Sequence, residues 1–231
     1  MNYLIVGGNS TIGQLLVDSL ADKGHTCYVI SRTPLKSNGG NIHFLEMDIL
    51  NDEIPEDYLP EALDGLVYLP GTINLKPFRA LKPDDFREAY EINFMGAVKS
   101  IQASEKAPKK SDNASIVLFS TVAVQTGMPF HAAVASAKGA IEGLTRSLAA
   151  EFAPKIRVNS IAMSLTDTKM AERFLSSDAK LEASRNRHPM KEVGQPEDMA
   201  ALTEFLLGRN AKWVTGQVIG ADGGIGTLRT S

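Results

Sequence analysis

Short apolar runs alternate along the chain with stretches whose apolar residues recur at helical spacing. Residues 3–6 form a continuous apolar run that ends on glycine, the pattern of a strand buried on both faces. Ile12, Leu15, Leu16 and Leu20 then recur at i, i+3, i+4 and i+8, one face of a helix, and Lys23-Gly24 closes it. Further strands are predicted at residues 27–30, 42–47, 66–69, 116–119, 156–161 and 217–219. Helices are predicted from Pro83 to about Glu91, from Asn93 to near Pro108, over 132–152 and over 196–207. Residues 164–190 are polar, with Lys169, Arg173, Lys180, Arg185 and Arg187 and weak helical signals. That segment reads as a lid or substrate loop, or as a pair of solvated surface helices.

Strand–helix alternation predicts parallel βαβ units joined by right-handed crossovers. The expected fold is α/β: one Rossmann-type domain over 1–231, a doubly wound, mostly parallel sheet of about seven strands with helices on both faces. Its ligand site belongs at the carboxyl ends of the strands, near the topological switch point.

A length of 231 residues suits one domain with a core large enough to need no disulfide or metal staple. Lys and Arg total 24 against 27 Asp and Glu, a net charge of −3. This leaves no basic footprint for nucleic acid and no general attraction to anionic membranes. No apolar run approaches ~18–20 residues, so no membrane span is expected. The amino-terminal MNYLIVGG has no basic segment before its apolar run and is not expected to be a signal peptide. Cys27 is the single cysteine, which rules out an internal disulfide or CxxC metal site and suits a reducing, cytoplasmic setting.

The first strand runs into Gly7-Gly8-Asn9-Ser10-Thr11-Ile12-Gly13, and a helix follows. Glycines let backbone approach a pyrophosphate, and the helix start offers free N–H groups and partial positive charge. After the second strand come Ser31, Arg32 and Thr33 with no acid nearby. Arg32 is either a solvated loop charge or a ligand for a 2′-phosphate, which a guanidinium can bind bidentately.

These residues resemble the short-chain dehydrogenase/reductase family, whose loop reads TGxxxGxG; Thr11 stands at its middle glycine. The resemblance spans essentially the whole chain. It implies NADP(H) rather than NAD(H), bound by Gly7, Asn9, Ser10, Thr11, Ile12, Gly13, Ser31, Arg32 and Thr33. It places Asp48 and Ile49 at the adenine, and Pro70 and Gly71 in the segment that is Asn-Ala-Gly in the family. Glu91–Gly96 matches the family's N-x-x-G segment and implies a catalytic role for Asn93. Counting back from the lysine places Thr121, rather than Ser120, at the family's serine. Val134-Ala135-Ser136-Ala137-Lys138 matches Y-x-x-x-K, so Lys138 is implied to hold the nicotinamide ribose, while Val134 stands where the family has its proton-donating tyrosine. If the long helix already includes His131, its imidazole projects from the same stripe and could replace that acid. Arg157-Val158-Asn159 matches R-V-N, the family's Pro-Gly becomes Met163-Ser164, and Thr168 falls at its nicotinamide-contacting threonine. The segments 190–200 and 215–224 also match the family, in structural roles.

The resemblance therefore implies an NADP(H)-dependent oxidoreductase acting on a small carbonyl or alcohol, with a non-standard proton donor. The lost tyrosine leaves open a non-enzymatic NADP(H)-binding module, a redox sensor or partner-binding protein, and a non-redox reaction in a repurposed pocket. No metal is expected. A homodimer or homotetramer is implied, through helices near 93–107 and 132–152.

Overall fold

The computed structural model describes residues 1–37, 39–55 and 57–229. Seven strands are formed: β1 (Asn2–Val6), β2 (Thr26–Ser31), β3 (Ile42–Glu46), β4 (Gly65–Tyr68), β5 (Ala114–Thr121), β6 (Ile156–Met163) and β7 (Val218–Ala221). They pair in the order β3-β2-β1-β4-β5-β6-β7, and every pairing is parallel. The expected mostly parallel sheet is thus wholly parallel. The order reverses between β1 and β4, which opens the crevice at their carboxyl ends.

The helices are α1 (Thr11–Asp22), α2 (Pro83–Tyr90), α3 (Gly96–Ser104), α4 (Ala123–Thr126), α5 (Ala132–Phe152), α6 (Glu172–Leu175), α7 (Asp178–Arg187) and α8 (Pro196–Leu207). Alternate strand residues feed two apolar layers. Leu4, Val6, Leu66, Ile116, Leu118 and Val158 pack with Ile101 of α3 and Ile141 of α5. Ile5, Val29, Val67, Val117, Phe119 and Ile161 pack with Leu16 and Leu20 of α1 and Met199 and Leu206 of α8. Burial on both faces is why the central strands read as unbroken apolar runs. At α8, Pro196 occupies the first turn and the Asp198 carboxylate accepts the Gln195 N–H at 2.8 Å, so this helix begins where its sequence predicts.

Several boundaries differ from expectation. Met47 leaves the β3 ladder and turns into the core. Leu69 lies beyond β4, and Gln217 lies outside β7 because the Asn159 side chain takes its N–H at 3.1 Å. Residues 164–190 hold two short helices with mostly exposed faces, the solvated pair foreseen as one alternative. The helices expected at 83–91 and 93–108 are joined without a break by a π-helical turn at Glu91–Met95, and the second ends at Ser104. The Gly96 N–H reaches back five residues to Glu91 O, which widens the coil.

Tyr68, at the end of β4, donates its hydroxyl to Ile92 O of that turn at 2.7 Å. Gly96 leaves the room: a β-carbon there would stand 1.9 Å from the Tyr68 hydroxyl. Gly96→Ala is therefore expected to lower stability by about 1–3 kcal/mol, overpacking outweighing its gain in helix propensity. Urea unfolding of Gly96→Ala, Tyr68→Phe and the double variant checks this. Strictly additive effects would contradict the contact.

Candidate functional site

The loop after β1 is shaped by three tight contacts. Gly7 takes φ +80°, and a β-carbon there would stand 2.9 Å from Pro70 Cδ. A β-carbon on Gly13 would stand 2.7 Å from Gly7 O, so the loop folds directly onto the start of α1. Ser10 caps the helix, its hydroxyl accepting the Gly13 N–H at 3.1 Å. The amides of Thr11 and Ile12, at the first two helical positions, have no intrahelical partner and add to the positive end of the helix dipole. Such a helix start has the donors and the partial positive charge that suit an anion.

One strand over, the Asn9 side-chain amide donates to Thr33 Oγ1, and the buried Ser31 hydroxyl donates to Thr33 O at 2.8 Å. Arg32 is exposed and forms no ion pair among the described residues. Asp48 is half-buried and engaged locally, accepting from Leu50 N at 3.1 Å and from the Asn51 side chain at 3.0 Å. Ile49 is buried in the core on the α5 side.

Asn93 is fully buried inside the π turn. Its amide donates to Ala89 O at 2.8 Å and accepts the Thr72 N–H at 3.3 Å. Gly71 sits over both Asn93 and Lys138: a β-carbon on it would lie 3.1 Å from Asn93 Oδ1 and 3.6 Å from Lys138 Nζ. Lys138 is only 8% exposed, and burial pushes its ammonium down to about 8. The structure thus brings Gly71, Asn93 and Lys138 into one place.

Ser120 points inward, donating to the buried Glu142 carboxylate of α5 at 2.9 Å. Thr121, at the end of β5, is half-buried, and its hydroxyl accepts the Ala123 N–H at 3.3 Å. Val134 lies one helical turn before Lys138 on α5 and is buried at 5% exposure. His131 departs from the condition set for it: α5 begins at Ala132, and His131 has φ −96° and ψ 7°, outside regular helix. Its Nδ1 donates to Pro129 O at 2.8 Å. An aromatic residue directly before a Pro-free helix start gives no sign of which side of the boundary it takes.

Thr168 is half-buried beside the start of α1, and the next N–H, that of Lys169, donates to Thr11 Oγ1 at 3.3 Å. The Arg173 guanidinium donates to Ile73 O at 2.8 Å, so the 164–190 segment is pinned at both the α1 and β4 sides of the crevice. Sequence reasoning missed Glu142, Tyr68 and a half-buried contact of Ser164 Oγ with His188 Nε2 at 2.8 Å. The replaced Pro-Gly at 163–164 was the available signal for the last of these. Among the described residues no cluster of ligating side chains could hold a metal ion, and no helix is long and apolar enough to cross a membrane.

The profile of the family described as "Enoyl-(Acyl carrier protein) reductase" matches residues 46–226. A tropinone reductase homologue of Arabidopsis thaliana is 32% identical over 97% of this chain and 92% of that protein. The chain belongs to the short-chain dehydrogenase/reductase family of oxidoreductases. The 2,5-dichloro-2,5-cyclohexadiene-1,4-diol dehydrogenase of Sphingobium indicum is 29% identical over 96% of this chain and 95% of that protein. Among solved structures, ElxO with NADP bound superposes with a TM-score of 0.86 at 26% identity, covering 97% of this chain and 98% of that one. Family members are oxidoreductases of alcohols and carbonyls, and the buried lysine facing Asn93 fits that frame.

The buried lysine has a consequence for stability. Between about pH 8 and the ordinary lysine value of 10.5, Lys138 loses its proton in the fold before it does so in the unfolded chain. The unfolded state then binds more protons, so stability gained from this group rises with pH across that window. Urea midpoints of the wild type and Lys138→Met are expected to diverge in favour of the wild type from pH 8 to 10. Parallel curves would contradict a desolvated ammonium.

Proposed function

We propose that the chain is an NADP(H)-dependent oxidoreductase that interconverts a small alcohol and its carbonyl compound. The observation that carries this is the presence of the open Thr11 and Ile12 amides past the end of β1 and, past the end of the neighbouring strand β2, of an exposed Arg32 that forms no ion pair among the described residues. The amides and Ser10 suit a pyrophosphate; Arg32 with Ser31 and Thr33 suits a 2′-phosphate, because a guanidinium fork matches phosphate oxygens. Gly7, Asn9 and Gly13 shape that cradle, Asp48 and Ile49 border the adenine side, and Pro70, Gly71 and Thr168 border the nicotinamide side. The bound nicotinamide supplies or accepts the hydride.

The chain's own residues do the rest. Lys138 holds ribose hydroxyls through its ammonium donors, and Asn93 keeps the Gly71–Lys138 corner in place through its amide. Thr121 offers a hydroxyl to the substrate oxygen. Val134 has no proton to give, so the proton comes from elsewhere; His131 keeps Nε2 open but sits outside the helix. The buried valine also favours a second reading, an NADP(H)-binding protein without turnover. The same frame carries a homodimer or homotetramer built on α3 and α5, where Val98, Ile101, Leu144 and Leu148 line an apolar groove. A cytoplasmic setting is part of this reading. We read the 164–190 segment as the substrate loop of a single domain.

Relatives named for a cyclohexadienediol and for tropinone make cyclic alcohols and ketones the first substrates to try. Calorimetric titration is expected to give NADPH at least about tenfold tighter binding than NADH, and Arg32→Ala is expected to remove that preference, since a charge-assisted hydrogen bond contributes ~1.5–3 kcal/mol. Oxidation of NADPH with a panel of cyclic ketones then separates the enzyme from the silent binder. Equal affinities for the two dinucleotides would overturn the assignment of Arg32.

A further inference from the structure

We infer that Ser164 and His188 form the path by which a proton reaches the substrate oxygen. This rests on the oxidoreductase reading above and deepens it: it names the donor that the valine at 134 leaves missing.

β6 ends at Met163, directly opposite Thr121 of β5. The Val122 N–H donates to Met163 O at 3.1 Å, and the Ser164 N–H donates to Ala221 O at 3.3 Å. Ser164 is therefore the first residue off the carboxyl edge of the sheet, between the ends of β5 and β7, and it is half-buried. His188, just past α7, is 3% exposed. Its Nδ1 lies 2.8 Å from Ser184 O and its Nε2 lies 2.8 Å from Ser164 Oγ. Gly223 presses on the ring with φ +59°; a β-carbon there would stand 3.4 Å from the imidazole.

The direction of this chain of hydrogen bonds follows from its ends. A carbonyl oxygen only accepts, so Nδ1 carries a hydrogen in either ionisation state. In the neutral ring Nε2 is an acceptor, and the Ser164 hydroxyl donates to it. In the protonated ring Nε2–H donates to Ser164 Oγ, and the hydroxyl hydrogen is released to point outward. The inner end is closed and the outer end is a hydroxyl at the sheet edge beside Thr121. The ionisable groups on segments packed against the ring are Asp222, whose carboxylate is occupied by the Gly224 and Gly226 amides, and the exposed Arg185, Arg187, Lys191 and Glu192.

In reduction, hydride adds to the carbonyl carbon and the C=O π pair moves onto oxygen. That oxygen takes the Ser164 hydroxyl proton, Ser164 Oγ takes the Nε2 proton of His188, and once the alcohol has left the neutral ring is recharged through the Ser164 hydroxyl, the only open end of the chain. Oxidation runs the same steps backwards, with His188 Nε2 receiving the alcohol proton through Ser164. Ser164 touches substrate; His188 acts through it.

The test uses full-length protein saturated with NADPH and the cyclic ketone panel. Ser164→Ala is expected to lower kcat/KM about 100-fold, a typical loss for a general acid, with NADPH affinity changed by less than about twofold. Ser164→Thr is expected to recover most of the rate. Reduction by the wild type is expected to fall as pH rises, with one limb that is lost in Ser164→Ala and a second, from Lys138, that both proteins share. In 15N-histidine spectra, the His188 Nε2 resonance of the NADPH-loaded protein is expected to move when a ketone is added, and Ser164→Ala is expected to abolish the movement. An unchanged rate and pH profile in Ser164→Ala, or a His188 resonance that ignores every ketone, overturns the relay. Failure to bind NADPH at all would instead sink the oxidoreductase reading on which it stands.

Discussion

A sheet whose strands all run one way must deliver every carboxyl end to the same edge. That constraint organises this molecule. β1 leads into the glycine loop, β2 into Arg32 and β4 toward Gly71; β5 ends on Thr121, and β6 leads into Ser164. None of these residues is near the others in sequence; parallel pairing in one register collects them. The reversal of order between β1 and β4 parts the crossover helices there and leaves the crevice open.

Around that edge the electrostatics are asymmetric. At the start of α1 stand backbone amides, and at the end of the neighbouring strand an exposed guanidinium, donors that bury no charge of their own. Lys138 is the opposite case: an ammonium under Gly71 and beside Asn93, held down by desolvation. Asn93 is fixed by a widened helical turn, and that turn is stitched to the sheet by the Tyr68 hydroxyl. A chain of contacts thus runs from the end of β4 through Ile92 and Asn93 to the Thr72 N–H, next to the Gly71 that overlies the amine.

Much of this was legible in the residues. α5 and α8 begin and end where apolar spacing and the Pro196–Asp198 start signal put them, and the central strands are buried on both faces as their unbroken runs imply. The glycine turn into α1 was legible because glycine, capping serine and helix follow one another along the chain. The π turn did not, because a step of five residues in place of four shifts a pattern by too little to read, and its partner Tyr68 is 24 residues away. His188 was silent for a similar reason: a lone histidine carries no local pattern, and its partner Ser164 is likewise 24 residues distant. His131 fell outside the helix because nothing in its neighbours marks the first helical residue.

The proposed dinucleotide site depends first on the amides that open α1. The most direct measurement is electron density from crystals grown with excess NADPH. A pyrophosphate is expected over the Thr11 and Ile12 amides, with Arg32 turned onto the 2′-phosphate. A dinucleotide seated elsewhere, or a cradle filled by side chains and closed to it, would contradict the proposed site.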